Sequence, residues 1–216
     1  SILFYVKGVL IVMKKIFVFL LGLIIILTLT GMGSVHREDT LQPEIAKKIL
    51  RFHVLANSDS DEDQSVKLKV RDGVGCYVEK LLADSKSRKQ TEEILNENID
   101  QIIAVANDIL KQNGMEYEAG ASIVSTDFPV KQYGEYTFPE GRYRALQIRL
   151  GKAKGHNWWC VLYPNLCFRG TMYENVDEES DELLREVLSP DEYKDVVDSG
   201  NFVLKLKILE YLPFTS

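Results

Sequence analysis

The hydrophobic period of this chain changes once, and that change limits the possible folds more than any other feature. Between Val66 and Ile109 apolar residues recur every three or four positions, whereas beyond Gly114 they recur every two. The first spacing lines one face of a helix and the second lines one face of a strand. The chain therefore reads as a helical block followed by a strand-rich block, which an α+β domain buries most economically. In the helical block Val66, Val70, Val74, Tyr77 and Leu81 form one stripe, with Lys67, Arg71, Glu79 and Lys80 off it. A second helix is expected from about Lys89 to Lys111, with Leu95, Ile99, Ile102, Ala106 and Ile109 inward and Asn113–Gly114 as its stop.

One strand precedes the helices. In "LRFHVLANS", Phe52, Val54 and Ala56 alternate with Arg51, His53 and Leu55, giving one mixed face. After Gly114, "ASIVSTD", "YRALQIRLG", "NWWCVLY" and the final "NFVLKLKILEYL" are strand candidates. The expected architecture is a mainly antiparallel sheet with two long helices packed on one face. The acidic stretch between Tyr173 and Gly200 reads as helical pieces broken at Pro190, with its charges on a solvated face.

The N-terminal segment stands apart from this domain. Lys14 and Lys15 precede a charge-free run of 20 residues from Ile16 to Val35, about 30 Å at ~1.5 Å per residue, enough to span a bilayer core. Gly31, Gly33 and Ser34 suit a signal peptidase. Residues 1–12 are read as upstream translation before Met13, and 13–35 as a signal peptide or membrane anchor. Residues 36–42 are read as a tether and 43–213 as a single extracytoplasmic α+β domain. Without Lys7, Lys14 and Lys15, the remainder holds 23 basic and 32 acidic residues, a formal charge of −9. Such a chain is repelled by phosphate backbones, so nucleic acid is not an expected partner.

Several stretches invite chemistry. In "DSDEDQ" the alternating Asp59, Asp61 and Asp63 resemble the start of a calcium loop, but Gln64 stands where a glycine must turn and Val70 where a bidentate glutamate is needed. No metal is expected; Asn57, Ser58, Asp59 and Ser60 read as a turn and helix cap. Cys160 and His156 on one strand would lie about 13 Å apart at ~3.3 Å per residue, too far for a nucleophile and its base. His53 could reach Cys160 only from a neighbouring strand. Cys160 and Cys167 flank the turn-forming "YPNL" and could bridge if the loop spans six residues, leaving Cys76 as an odd thiol buried in the flank of the helix stripe. Trp158 and Trp159 must point to opposite sheet faces, so one needs a cover outside the core. Before them, Tyr133 and Phe138 lie in a turn-rich aromatic stretch that reads equally as binding anchors or as a loop folded on the sheet edge.

Three stretches, "RFHVLANSDSDEDQSVKLKVRD", "FPVKQYGEYTFPEGRYRALQIRLG" and "GHNWWCVLYPNLCF", closely resemble the stage II sporulation protein R family in that order. The resemblance covers about Leu50 to Phe168 and the final strand. It implies a signal exported from the forespore into the space between the two sporulation membranes. There the family activates a membrane-embedded aspartic protease of the mother cell, which processes pro-sigma-E. The implied protein is not an enzyme, needs no cofactor or small-molecule substrate, and contacts its receptor and, through its N-terminal segment, a membrane. The expected receptor-facing residues are His156, Asn157, Trp158, Trp159, Tyr133 and Phe138. Two other readings stay open: an extracytoplasmic cysteine-dependent hydrolase, which thiol labelling would reveal, and a structural cell-envelope protein, which would be made at high copy number.

Overall fold

The computed structural model describes residues 13, 15–22, 41–164, 166 and 178–198. The chain divides into two units, Ser1–Leu41 and Gln42–Ser216. In the first, residues 15–22 are helical and carry exposed apolar side chains, Phe19 most of all. Among the described residues no helix is long and apolar enough to cross a membrane. The rest of the expected 13–35 segment, the final strand "NFVLKLKILEYL" and Cys167 lie outside the described residues.

The second unit opens with a short helix, α1 (41–48), and strand β1 (Leu50–Leu55), followed by α2 (Asp61–Leu81), α3 (Arg88–Glu97) and α4 (Ile99–Gln112). Then come β2 (Ala119–Phe128), the small strands β3 (Lys131–Tyr133) and β4 (Tyr136–Phe138), β5 (Gly141–Leu150) and β6 (Asn157–Tyr163). Two helices close the described chain, α5 (Glu178–Val187) and α6 (190–198). Their break falls at Pro190, where the missing amide hydrogen prevents a continuous ladder.

The expected second long helix is two helices. At Asn98 the side-chain amide donates to the Ile94 carbonyl (2.8 Å) and the backbone N–H donates to the Leu95 carbonyl (3.2 Å). Those bonds tighten the last turn of α3, and α4 restarts from the same residue. Within α2 the buried stripe is Val66, Val70, Val74 and Val78. It faces α4, and Gly73 permits the close approach: a Cβ there would clash with Ile109.

The sheet runs β2–β5–β1–β6. Its outer pairs are antiparallel, but the central pair is parallel, with Phe52 opposite Leu146 and Val54 opposite Ile148. The sheet is therefore mixed, a correction to the mainly antiparallel expectation. The cause lies in the connection: after the three helices the chain returns as β2, running opposite to β1, and the reversal between β2 and β5 then lays β5 parallel to β1. Both faces of the sheet are covered. Phe52, Val54, Leu146 and Ile148 face the helices and are fully buried, each contributing ~1.5–3 kcal/mol by leaving water. Arg51 and His53 on the opposite, mixed face are buried as well, so β1 is a central strand buried on both sides.

Candidate functional site

Two loops meet at the carboxyl ends of the parallel strands. Residues 56–60 follow β1 and residues 151–156 follow β5. In open sheets that end is where a substrate crevice forms; here the second loop fills it. Its backbone N–H groups are all engaged. Gly151 donates to the Glu118 carbonyl and Lys152 to Asn57 Oδ1; Ala153 donates to the Leu150 carbonyl and Lys154 to that of Asn57. Gly155 donates to the Ala56 carbonyl (3.0 Å) and His156 to Asp59 Oδ1 (2.6 Å). Gly155 fits because it lacks a side chain: a Cβ would fall inside the van der Waals surface of the Ser58 carbonyl.

The turn after β1 owes its shape to Asp63. Its carboxylate accepts from Asn57 Nδ2 (2.9 Å), Ser58 Oγ (2.5 Å) and the Tyr117 hydroxyl (2.5 Å). Burial pushes the Asp63 carboxyl up, but hydrogen bonds from Ser58, Tyr117, Asn57 and Ser60 outweigh it and hold the group below the usual carboxylate range. Ser60 is the N-cap of α2, its Oγ accepting from the Asp63 N–H (3.2 Å). Asp59 turns outward to His156, whose Nδ1 lies 2.5 Å from Asp59 Oδ1. Hydrogen bonds from the His156 backbone and ring hold the Asp59 carboxyl below its ordinary value. Both side chains are exposed, 81% for His156 and 54% for Asp59. The three aspartates thus go to different tasks, and among the described residues no metal-ligating cluster forms.

The two tryptophans divide between the faces. Trp158 is 6% exposed on the helix side, edge-on to Phe52 (5.5 Å) and under the Arg71 guanidinium (5.2 Å). Trp159 is half-buried on the other side, stacked on His53 (5.0 Å, 12°) and edge-on to Phe128 (4.7 Å). Beneath this cluster lies a feature the sequence did not signal. Arg51 is fully buried, with its guanidinium over the rings of Phe128, Tyr133, Phe138 and Tyr143 at 4.5–5.9 Å. Its Nε donates to the Cys160 carbonyl and its Nη2 to the Tyr133 hydroxyl, which in turn donates to the Trp159 carbonyl. Burial lowers the Arg51 pKa. Tyr133 and Phe138 are therefore pinned on Arg51 as the β3–β4 hairpin and are buried, so a partner could touch them only if that hairpin lifted. The hairpin is held from outside by Asp181, which accepts from the Tyr136 and Tyr193 hydroxyls, both at 2.5 Å.

The cysteine positions bear on nucleophilic chemistry. His53 does sit on a strand next to Cys160, but it pairs with Trp159, while Cys160 pairs with Phe52. Strand neighbours point to opposite faces, so His53 and the Cys160 sulfur are separated by the sheet. Cys160 is disulfide-bonded, which removes its thiolate. Cys76 is a free thiol and exposed, not buried in the stripe's flank, because the α2 stripe drifts to Val78 and turns Cys76 toward water. The structure places His156 on the β5–β6 loop and Asn157, Trp158 and Trp159 on β6; sequence reasoning did not reach the parts that Arg51, Asp63 and Tyr117 play here, nor the close approach at Gly155. The glycines bracketing "GKAKG" were the available sign of a close backbone approach.

Comparison with known proteins covers this same region. The family model described as stage II sporulation protein R matches residues 46–173, which include both loops, the hairpin and β6. The curated Stage II sporulation protein R of Bacillus subtilis (strain 168) is 32% identical over 161 residues, covering 72% of each chain. No solved structure matches. With more than half its length inside that family model and a relative at this identity, the chain belongs to the stage II sporulation protein R family.

Proposed function

We propose that this chain is the exported sporulation signal of its family, passed from the forespore to the intermembrane space. There it activates the mother-cell membrane aspartic protease that processes pro-sigma-E. The observation that carries the reading is the filled crevice at the carboxyl ends of β1 and β5. The place where such a sheet would hold a substrate is occupied by the chain's own loop, and the loop's outer side faces solvent. The arrangement suits a surface that is recognised. On this reading His156, Asn157 and the half-buried Trp159 belong to the receptor-facing side, while Trp158 belongs to the core. The N-terminal segment, with its lysines before an apolar run, serves export or anchoring. Deleting the gene in the native host and following pro-sigma-E by immunoblot tests the function. Full-length precursor should accumulate; normal processing in the deletion strain sinks the proposal.

A further inference from the structure

Between Glu140 and Glu174 the sequence holds six basic residues and no acidic one, inside a chain whose net charge is −6. Two of the six are spent within the fold: Arg144 pairs with Glu92, and Arg142 donates to Ser125. Three more, Arg149, Lys152 and Lys154, are exposed around the β5–β6 loop. Among the described residues none of the three has a carboxylate partner. The loop that carries the two lysines is held by its main chain and by the His156 ring on Asp59, as described above, and Ala153 is kept at φ 51°, a left-handed conformation unfavourable for alanine. A solvated lysine needs no such support. Asp59 is engaged by His156, and Glu118, whose carbonyl takes the Gly151 N–H, forms no ion pair with any of the three among the described residues.

We infer that Arg149, Lys152 and Lys154 form a rigid cationic epitope that docks on an acidic segment of the protein partner. This inference rests on the signalling reading and names the chemistry of its contact. A protein is favoured over a lipid surface because the charges are few and the backbone that carries the two lysines is fixed by its hydrogen bonds. Lipid headgroups reward many mobile charges, whereas a preorganised loop favours a partner with matched carboxylates. The acidic chain around the epitope would also repel an anionic membrane.

The test replaces the native gene with Lys152→Glu/Lys154→Glu, and separately with Lys152→Arg/Lys154→Arg. The loop is fastened by main-chain bonds, so both proteins should melt like the parent. Pro-sigma-E processing should fall at least tenfold in the reversed variant and stay near normal in the arginine variant. If the reversed variant processes like wild type while the gene deletion does not, the epitope is refuted and the signalling reading stands. If the deletion also processes normally, both fall. Binding of the purified full-length proteins to phosphatidylglycerol vesicles supplies the other arm. Vesicle binding by the parent that the reversal abolishes would assign the charges to lipid and overturn the inference.

Discussion

Replacing Gly155 with alanine tests whether the two loops really behave as one unit. The new Cβ would lie against the Ser58 carbonyl and 3.0 Å from Ala56 Cβ. Neither neighbour can swing away, since one is backbone and the other is a buried strand end. The loop must instead retreat by roughly an ångström, which takes three hydrogen bonds out of range: Lys154 and Gly155 to the carbonyls of Asn57 and Ala56, and His156 to Asp59. At about 1 kcal/mol net for each, the loss is on the order of 3 kcal/mol. For a domain of this size that lowers Tm by about 6–12 °C. Gly120→Ala is the control, because nothing lies within 4 Å of a Cβ at that position. Thermal unfolding followed by circular dichroism reads both. A Gly155→Ala protein melting within 2 °C of wild type would show that the loop is not locked to the turn, and the account of the filled crevice would fail with it.

Three other substitutions separate core from surface and titrate the buried face. Trp158→Ala should cost about 3–5 kcal/mol in stability, whereas Trp159→Ala, losing two ring pairs at ~0.5–1.5 kcal/mol each, should cost less and reduce pro-sigma-E processing more than its melting explains; equal melting losses without a separate processing defect would remove Trp159 from the receptor-facing group. His53 is held down to a pKa of about 4 by burial and then by the Arg51 charge. Its neutral form is favoured in the folded state, so its stability contribution is complete above pH ~6.5 and is lost as pH falls toward 4, at most about 3 kcal/mol. Tm measured from pH 7 to 4 should therefore fall more steeply for wild type than for His53→Phe, and parallel curves would contradict the assignment.

How much of this was legible in the sequence depended on whether the cause was local. Strand β6 could be read from "NWWCVLY" because period-two patterning and flanking turn residues are both local signals, and the same holds for the helix stop at Asn113 and the break at Pro190. The split at Asn98 escaped because the apolar stripe continues in phase across it, and only the Asn98 side chain, one polar residue among many, terminates α3. The parallel pairing of β1 with β5 left no trace, since an alternating strand reads the same in either direction. The burial of Arg51 left no trace for a different reason. A charged residue alternating with Phe52 is ordinarily solvent-facing, and what buries it are four rings that come from β2, β3, β4 and β5. Of the candidate site, the exposed members were suggested by composition, while the contacts that hold it in place, at Asp63, Tyr117 and Gly155, join residues dozens of positions apart.

The pairing of β1 also sets the order in which the domain can be completed. Its neighbours in the sheet, β5 and β6, arrive about ninety to a hundred and ten residues later in the chain, and helices and β2 intervene. A polypeptide emerging from its N-terminus can form α2 to α4 from nearby contacts, but β1 has no strand to join until the residues near 145–163 are also present. Closing so long a loop is slow, because the chain loses its freedom before any pairing compensates. The central sheet is thus a late event, and the chain stays loose for most of its synthesis. If the chain is threaded across a membrane before it acts, as proposed, that delay would keep the polypeptide open through the crossing and place folding on the far side.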